Sequence, residues 1–350
     1  MSLILTKNIR KLIGFVRQNP GLSSSEIHEG VDLDVGNLTT KRNLSKLVEG
    51  KLLSRSGIGK ATKYEISATY KLFIPIDIDQ YFEQESDQRE IAEGFNFSLI
   101  EGVLSQVALF DDIDMDVLIT LQSAYSDNLF ELSPSIHKQE LERLAIDLSW
   151  KSSQIEGNTY SLLETEQLLK EKKEAIGKRR DEATMLLNHK EALDYVIEKP
   201  EHINPISIQK IEEIHSLLIK DLGVDQGLRK RVVGITGTNY RPLDNEFQIQ
   251  DALGSMCDLL NARENIFEKA LLLLLLISYI QPFADGNKRT ARIVSNAILI
   301  SGGYCPLSFR TVDSLDYKKA LLLFYEQNNI VAFKEIFIDQ FAFAVNTYFQ

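Results

Sequence analysis

Apolar residues recur at helical spacing through most of the chain. Near the start, Ile9, Leu12, Ile13 and Val16 form one stripe, Pro20-Gly21 interrupts it, and "SSSEI" offers a capped helix start. Leu44, Leu47 and Val48 mark a further helix from Asn37 to Glu49 that Gly50 can stop. Leu52-Leu53 then opens a strand, Gly57 to Lys60 supplies a turn, and Tyr64-Glu65-Ile66 returns, so the pattern predicts three helices and a hairpin. From Leu72 to Ser133 the punctuation weakens, with "QESDQRE" and "FDDIDMD" as the most polar stretches, and a helical connector is expected. Ala270 to Ile280 is apolar on nearly every side and far shorter than the roughly 20 residues that span a bilayer, which describes a buried helix. It must end before Gln281-Pro282, because the residue before proline is pushed out of helical conformation. A new helix starts near Asp285-Gly286-Asn287 and is carried by Ile293, Val294, Ala297, Ile298 and Leu299 as far as Gly302-Gly303.

With 350 residues the chain is too long for one compact core of usual size, and two or three domains are expected. A 44% hydrophobic content excludes a disordered chain, and 19 Gly with 8 Pro are too few for a collagen-like one. Cys257 and Cys305 are too few for a disulfide scaffold or a Cys-rich zinc site and read as buried thiols. Lys7, Arg10 and Lys11 stand where a signal peptide would need its apolar stretch, so a cytoplasmic protein with no membrane partner is expected. The net charge of -11 argues against a surface that coats nucleic acid throughout. It hides an asymmetry, since residues 1–70 carry eleven Lys/Arg against six Asp/Glu, or +5, leaving -16 for the remainder. The basic segment resembles a winged helix-turn-helix domain, with the helix from Asn37 to Glu49 in the recognition position and Ser56 to Lys63 as the wing. Lys41, Arg42, Lys46, Lys60 and Lys63 would face DNA; the alternative is a protein-interaction or dimerisation module of the same shape.

The chemistry concentrates in "QPFADGNKRTAR". A helix start after a Gly-containing turn presents free backbone N–H groups, and Lys288, Arg289 and Arg292 add three cations within its first turns, which makes an anion site. Arg289 and Arg292 share a face and suit two oxygens of one polyphosphate. Asp285 beside such a cradle would repel phosphate unless a divalent cation lies between them, and this points to Mg2+ with Asp285 as its one protein ligand. The alternative is a helix capped by Asp285 whose basic residues make surface pairs.

This segment resembles the signature loop of the Fic (Fido) family, His-Pro-Phe-x-Asp/Glu-Gly-Asn-Gly-Arg-x-x-Arg. Two further segments agree in order. Ser152-x-x-x-Glu156-Gly157, within "SSQIEGNTYSLLETEQLL", is similar to the family's inhibitory helix motif, and "GLRKRVVGITGTNYRPLDNEF" is similar to the hairpin flap that lays a target segment over the active site. The resemblance implies a mainly α fold: a winged helix over 1–70, a connector over 71–138, and a Fic-type helical core over 139–350 with one small β-hairpin flap. It also implies transfer of AMP from ATP to a protein hydroxyl. Asp285 would hold Mg2+, Gly286, Asn287 and Lys288 would form the anion nest, and Arg289 and Arg292 would pair with the β and γ phosphates. Phe283 would anchor the loop, Tyr317 would help wall the adenine pocket, and Thr236, Gly237 and Thr238 would offer the flap edge to a target protein or to the chain itself. Glu156, on one helix face with Ser152, would occupy Arg292 and hold the site inhibited. Homodimers are frequent among similar proteins, so a homodimer is expected. His215 reads as structural.

Two positions depart from the pattern. Gln281 stands where the family has the histidine that takes the proton of the attacking hydroxyl, and an amide cannot titrate near neutral pH; loss of such a base removes about 10²- to 10⁴-fold in rate. Lys288 replaces the second glycine. A toxin branch that transfers phosphate has a similar Asn-Lys-Arg run but lacks the second arginine, so Arg292 and Gly286 favour the AMP-transferring mode. Three expectations follow: a conditional AMP transferase inhibited by Glu156, a catalytically impaired ATP-binding regulator of DNA or partner binding, or a de-modifying enzyme in which Glu156 positions water.

Overall fold

The computed structural model describes residues 7–33, 35–89, 91–92 and 94–349; Asp34 and the side chains of Lys7 and Lys60 lie outside the described residues. The chain divides into two units, one comprising Met1–Ile76 with Gln327–Val331, the other Asp77–Glu326 with Ala332–Gln350.

In the first unit, helices Lys7–Gln18, Ser24–Gly30 and Asn37–Glu49 precede strands Leu53–Ser56 and Lys63–Ile66. Ser23 and Glu26 form a reciprocal capping box at the second helix. The strands pair antiparallel from Leu53↔Ile66 to Ser56↔Lys63, and Leu22 adds a bridge to Tyr64. The apolar stripes of the three helices meet the inner strand face in one core of Leu12, Val16, Ile27, Leu44, Leu47 and Leu53. Burial of each such side chain stabilises by about 1.5–3 kcal/mol. The turn between the strands needs Gly57 at φ +77°, where a Cβ would fall 2.2 Å from the Ala61 carbonyl oxygen. Asn329 ties the outlying segment to this unit by donating to the Lys71 and Ile74 carbonyls.

In the second unit, helix Ile266–Ile280 is buried throughout from Ala270 to Ile280, as its apolar run requires. Helix Asn287–Ser301 packs against it and is itself flanked by Arg180–Glu198 and Ile208–Ile219, while Pro134–Ile155 lies on Arg180–Glu198 and reaches the loop helix. The fold is therefore mainly helical, as expected.

The stretch from 71 to 138 holds the end of Ala68–Phe73, then Ile78–Phe82, the short helical turns Leu99–Val103 and Leu104–Gln106, Asp112–Glu131 and the start of Pro134–Ile155, while the polar run after Phe82 forms turns fixed by side-chain contacts, because it has no apolar stripe to bury. One expectation is corrected. The flap is no hairpin. Among the described residues the strands are Leu53–Ser56 and Lys63–Ile66, and residues 227–244 form no ladder. Arg229 explains why: its buried guanidinium lies between the two limbs and donates to Arg231 O (2.7 Å), Leu243 O (2.6 Å) and Gln281 O (2.6 Å). Carbonyls that a hairpin would pair with N–H groups are satisfied by one side chain, and Pro242 has no N–H to give.

Candidate active site

The buried helix ends at Ile280, and Gln281 leaves it in the left-handed region, φ 51°. Gly286, at φ 81°, turns the chain into helix Asn287–Ser301. Asn287 staples the turn between them. Its Oδ1 accepts from Phe283 N (2.8 Å), and its Nδ2 donates to Phe283 O (2.8 Å) and Gln281 Oε1 (3.0 Å). Phe283 is buried and stacks on His215 with ring centroids 3.7 Å apart, while His215 Nε2 meets Asp285 O at 2.9 Å. Burial pushes the His215 pKa down to about 4, so the ring is neutral near pH 7 and Nε2–H donates to that carbonyl. His215 is thus structural in the sense read from the sequence.

The first N–H groups of this helix have no intrahelical acceptor and open towards the loop. Of its cations, Arg289 and Arg292 are buried. Arg289 Nη2 pairs with Asp285 Oδ2 at 3.0 Å, and the Asp285 side chain is exposed. Arg292 donates through Nε to Ser152 Oγ (2.7 Å) and through Nη2 to Ser152 O (3.0 Å) and Glu156 Oε1 (2.9 Å). Lys288 Nζ takes the other carboxylate oxygen, Glu156 Oε2, at 3.2 Å. Glu156 caps helix Pro134–Ile155, and Gly157 follows at φ 98° and releases the chain. Burial pushes the Glu156 pKa up, but Arg292 and then Lys288 more than offset it and hold the carboxyl below its ordinary value. Burial likewise opposes the charge of Arg292, and Tyr317 and Glu156 together hold its pKa above the usual value.

A cleft of about 680 Å³ opens at Glu156 and Lys288, and Asp285, Gly286, Asn287, Arg289 and Arg292 lie outside its lining. Glu156, Lys288, Gln281, Thr236 and Gly237 line it. Tyr317 does not: it is fully buried with the Arg292 guanidinium 5.3 Å from its ring centroid, because the face of helix Ser314–Gln327 that meets the core carries it. Leu315, Lys318, Leu322 and Tyr325 of that helix line the cleft in its place. Thr238 also lies outside the lining; its hydroxyl accepts from Tyr240 N. Gln281 is nearly buried, with Nε2 donating to Ser278 O (2.6 Å). Sequence reasoning missed the Lys288–Glu156 pair, whose partners lie 132 positions apart, and the Arg229 clamp, whose one signal is an arginine inside a short flap.

A loop stapled by asparagine before a helix that carries two buried arginines decides the comparison. Residues 205–299 match the Fic/DOC family. The protein adenylyltransferase Fic of Nematostella vectensis is 32% identical over 180 residues, covering 49% of this chain and 41% of that protein. Protein adenylyltransferase fic-1 of Caenorhabditis elegans is 27% identical over 174 residues, 48% of this chain and 34% of that one. The chain therefore spans well under half the length of either relative. Among solved structures, Fic-1 from C. elegans aligns with a TM-score of 0.59 at 22% identity over 67% of this chain and 72% of that chain. A Fic domain containing signaling protein from Bacteroides thetaiotaomicron aligns at 0.56 and 19% identity, over 66% and 94%. Both are likenesses of fold. The Fic/DOC segment holds Gln281 to Arg292 and the flap; Ser152, Glu156 and Tyr317 lie beyond it.

Proposed function

We propose that the second unit binds ATP at the turn from Asp285 to Arg292 and passes AMP to a hydroxyl of a target protein or of the chain itself, with Glu156 holding the site inhibited. One observation carries this reading: Glu156 ties up Arg292 and Lys288 at the open end of a helix within the Fic/DOC segment. A triphosphate would trade one carboxylate for phosphate oxygens on the same donors. Arg289 and the backbone N–H groups of Gly286, Asn287 and Lys288 would hold the inner phosphates. The donor set suits Mg2+, which commonly takes one carboxylate together with phosphate oxygens and waters, and the exposed Asp285 would hold it. The ion would neutralise phosphate charge. Among the described residues no backbone hydrogen bond engages Thr236 or Thr238, which leaves their backbone groups to receive an extended segment, whereas Gly237 O already accepts from Arg89.

The side chain of Gln281 supports a second reading, a nucleotide-binding regulator with weak transfer. Its amide is held at both ends, by Ser278 O and Asn287 Nδ2, and cannot take a proton. In that reading the first unit supplies the output: Lys41, Arg42 and Lys46 are exposed on helix Asn37–Glu49 and suit DNA phosphates, while Lys63 is paired with Glu26 at 3.0 Å. Calorimetry with ATP and Mg2+ tests both readings. Saturable binding lost in Arg292→Ala is expected; binding indifferent to that change would remove the proposal. A mobility shift that responds to ATP would favour the regulator, and incorporated label the transferase.

A further inference from the structure

The far wall of the cleft comes from an element outside the Fic/DOC segment. Phe82, the last residue of helix Ile78–Phe82, and Gln84, Glu85, Ser86 and Arg89 in the turns after it line the same cavity as Glu156 and Lys288. Gln84, Glu85, Asp87 and Gln88 of this run are exposed, and the run is anchored through Arg89 and Asp87. The Arg89 side chain is 4% exposed, and Nη2 donates to Glu326 Oε1 at 3.0 Å and to Gly237 O at 2.5 Å. Glu326 is fully buried and accepts from Tyr81 Oη through its other oxygen at 2.6 Å. The Arg89 guanidinium lies 4.7 Å from the Phe82 ring centroid, and Asp87 Oδ1 accepts from Asn239 Nδ2 at 2.7 Å. One arginine therefore joins three elements: the strap, the flap at Gly237, and the end of helix Ser314–Gln327.

Lys288 is the cradle cation that lines this cleft, Arg292 lying buried outside the lining, so a triphosphate at the Lys288 end leaves the rest of the cleft to the nucleoside. That part is apolar on two sides, with Ile235 on the flap and Leu315, Leu321 and Leu322 on the helix. The strap supplies the third side, with an aromatic residue, Phe82, and four polar ones, Gln84, Glu85, Ser86 and Arg89. From this placement we infer that Phe82–Arg89 is a nucleoside-recognition strap and that Arg89 is the positioning residue that sets it against the flap. This rests on the phosphate-cradle reading above. The ion pair is buried, so Arg89 holds the strap firmly; loss of one partner would leave the other uncompensated.

The test separates nucleoside from phosphate. In the 350-residue Glu156→Gly protein, with the cradle free, Mg2+ complexes of ATP and of inorganic tripolyphosphate are titrated calorimetrically. Arg89→Ala weakens ATP by about tenfold or more, the loss of roughly one good contact, and leaves tripolyphosphate within about twofold, inside the usual additivity scatter. Arg89→Lys recovers part of the loss. Phe82→Ala, which leaves the ion pair intact, reproduces it should Arg89→Ala fold poorly. If tripolyphosphate binds and both variants keep wild-type ATP affinity, or lose both ligands equally, the strap proposal is overturned and the cradle stands. If neither ligand binds with Glu156 replaced, the cradle reading falls and takes the strap with it.

Discussion

Replacing Glu156 by glycine should do two opposite things. The carboxylate faces two cations, and the Arg292 side chain is 0% exposed while that of Glu156 is 20% exposed. Removing one partner of a buried pair costs about 3–5 kcal/mol. Here Arg292 keeps Ser152 Oγ, Ser152 O and the Tyr317 ring, and Glu156 reaches solvent, so about 2 kcal/mol is the better expectation for the ligand-free protein. For a domain of this size that is a melting temperature lower by roughly 4–8 °C. ATP gains what stability loses, because phosphate oxygens replace the carboxylate on unpaired donors. One recovered charge-assisted hydrogen bond is worth about 1.5–3 kcal/mol, or roughly 10- to 150-fold in affinity. The assay is calorimetric titration with ATP and Mg2+, together with thermal melts with and without ligand, on wild type and Glu156→Gly. A variant that melts lower yet binds ATP no better would refute the reasoning, since it would mean that Arg292 and Lys288 do not meet the nucleotide.

Other outcomes follow from the same contacts. Because the folded-state pKa of Glu156 is depressed, its stabilisation is complete above the ordinary carboxylate value near 4.5 and is lost as pH falls through the folded value; acid unfolding of Glu156→Gln should show a shallower loss below pH 4.5 than wild type. His215 behaves with the opposite chemistry and the same sign: neutral in the fold down to about 4 but titrating near 6.5 when unfolded, it lets stability fall by up to about 1.4 kcal/mol per pH unit between those values, and its ring carbon NMR shifts should stay constant from pH 8 to about pH 5. Arg229→Ala should cost about 3 kcal/mol and leave three carbonyls unpaired, with faster hydrogen exchange confined to the flap and the Gln281 turn. Unchanged exchange there would remove the clamp from the account.

Much of this site is legible in the sequence because its parts are local. The break at Gln281-Pro282, the glycine turn and the apolar stripe of the loop helix fix a helix start within a dozen residues, and the structure begins that helix at Asn287. Glu156 and Arg292 could be paired across the chain only through a family resemblance, and the pair is formed. What stayed hidden depends on side chains that act over distance. The family resemblance implies a hairpin flap, but one arginine takes carbonyls that a ladder would need. Tyr317 carries the right residue type yet faces inward, since position on a helix decides which neighbour a tyrosine meets. The strap has no stripe at all, and its order comes from Arg89 meeting Glu326, 237 positions later.

The central claim is that Arg292 and its cradle serve ATP while Glu156 withholds them and Gln281 lacks a base. Incorporation of α-labelled ATP with Mg2+ into purified Glu156→Gly and Glu156→Gly/Gln281→His protein tests it directly. Label in the double variant at about 10²-fold or more above the single one is expected, the usual worth of a positioned general base. Silence in both, with ATP bound, would contradict an AMP-transferring site.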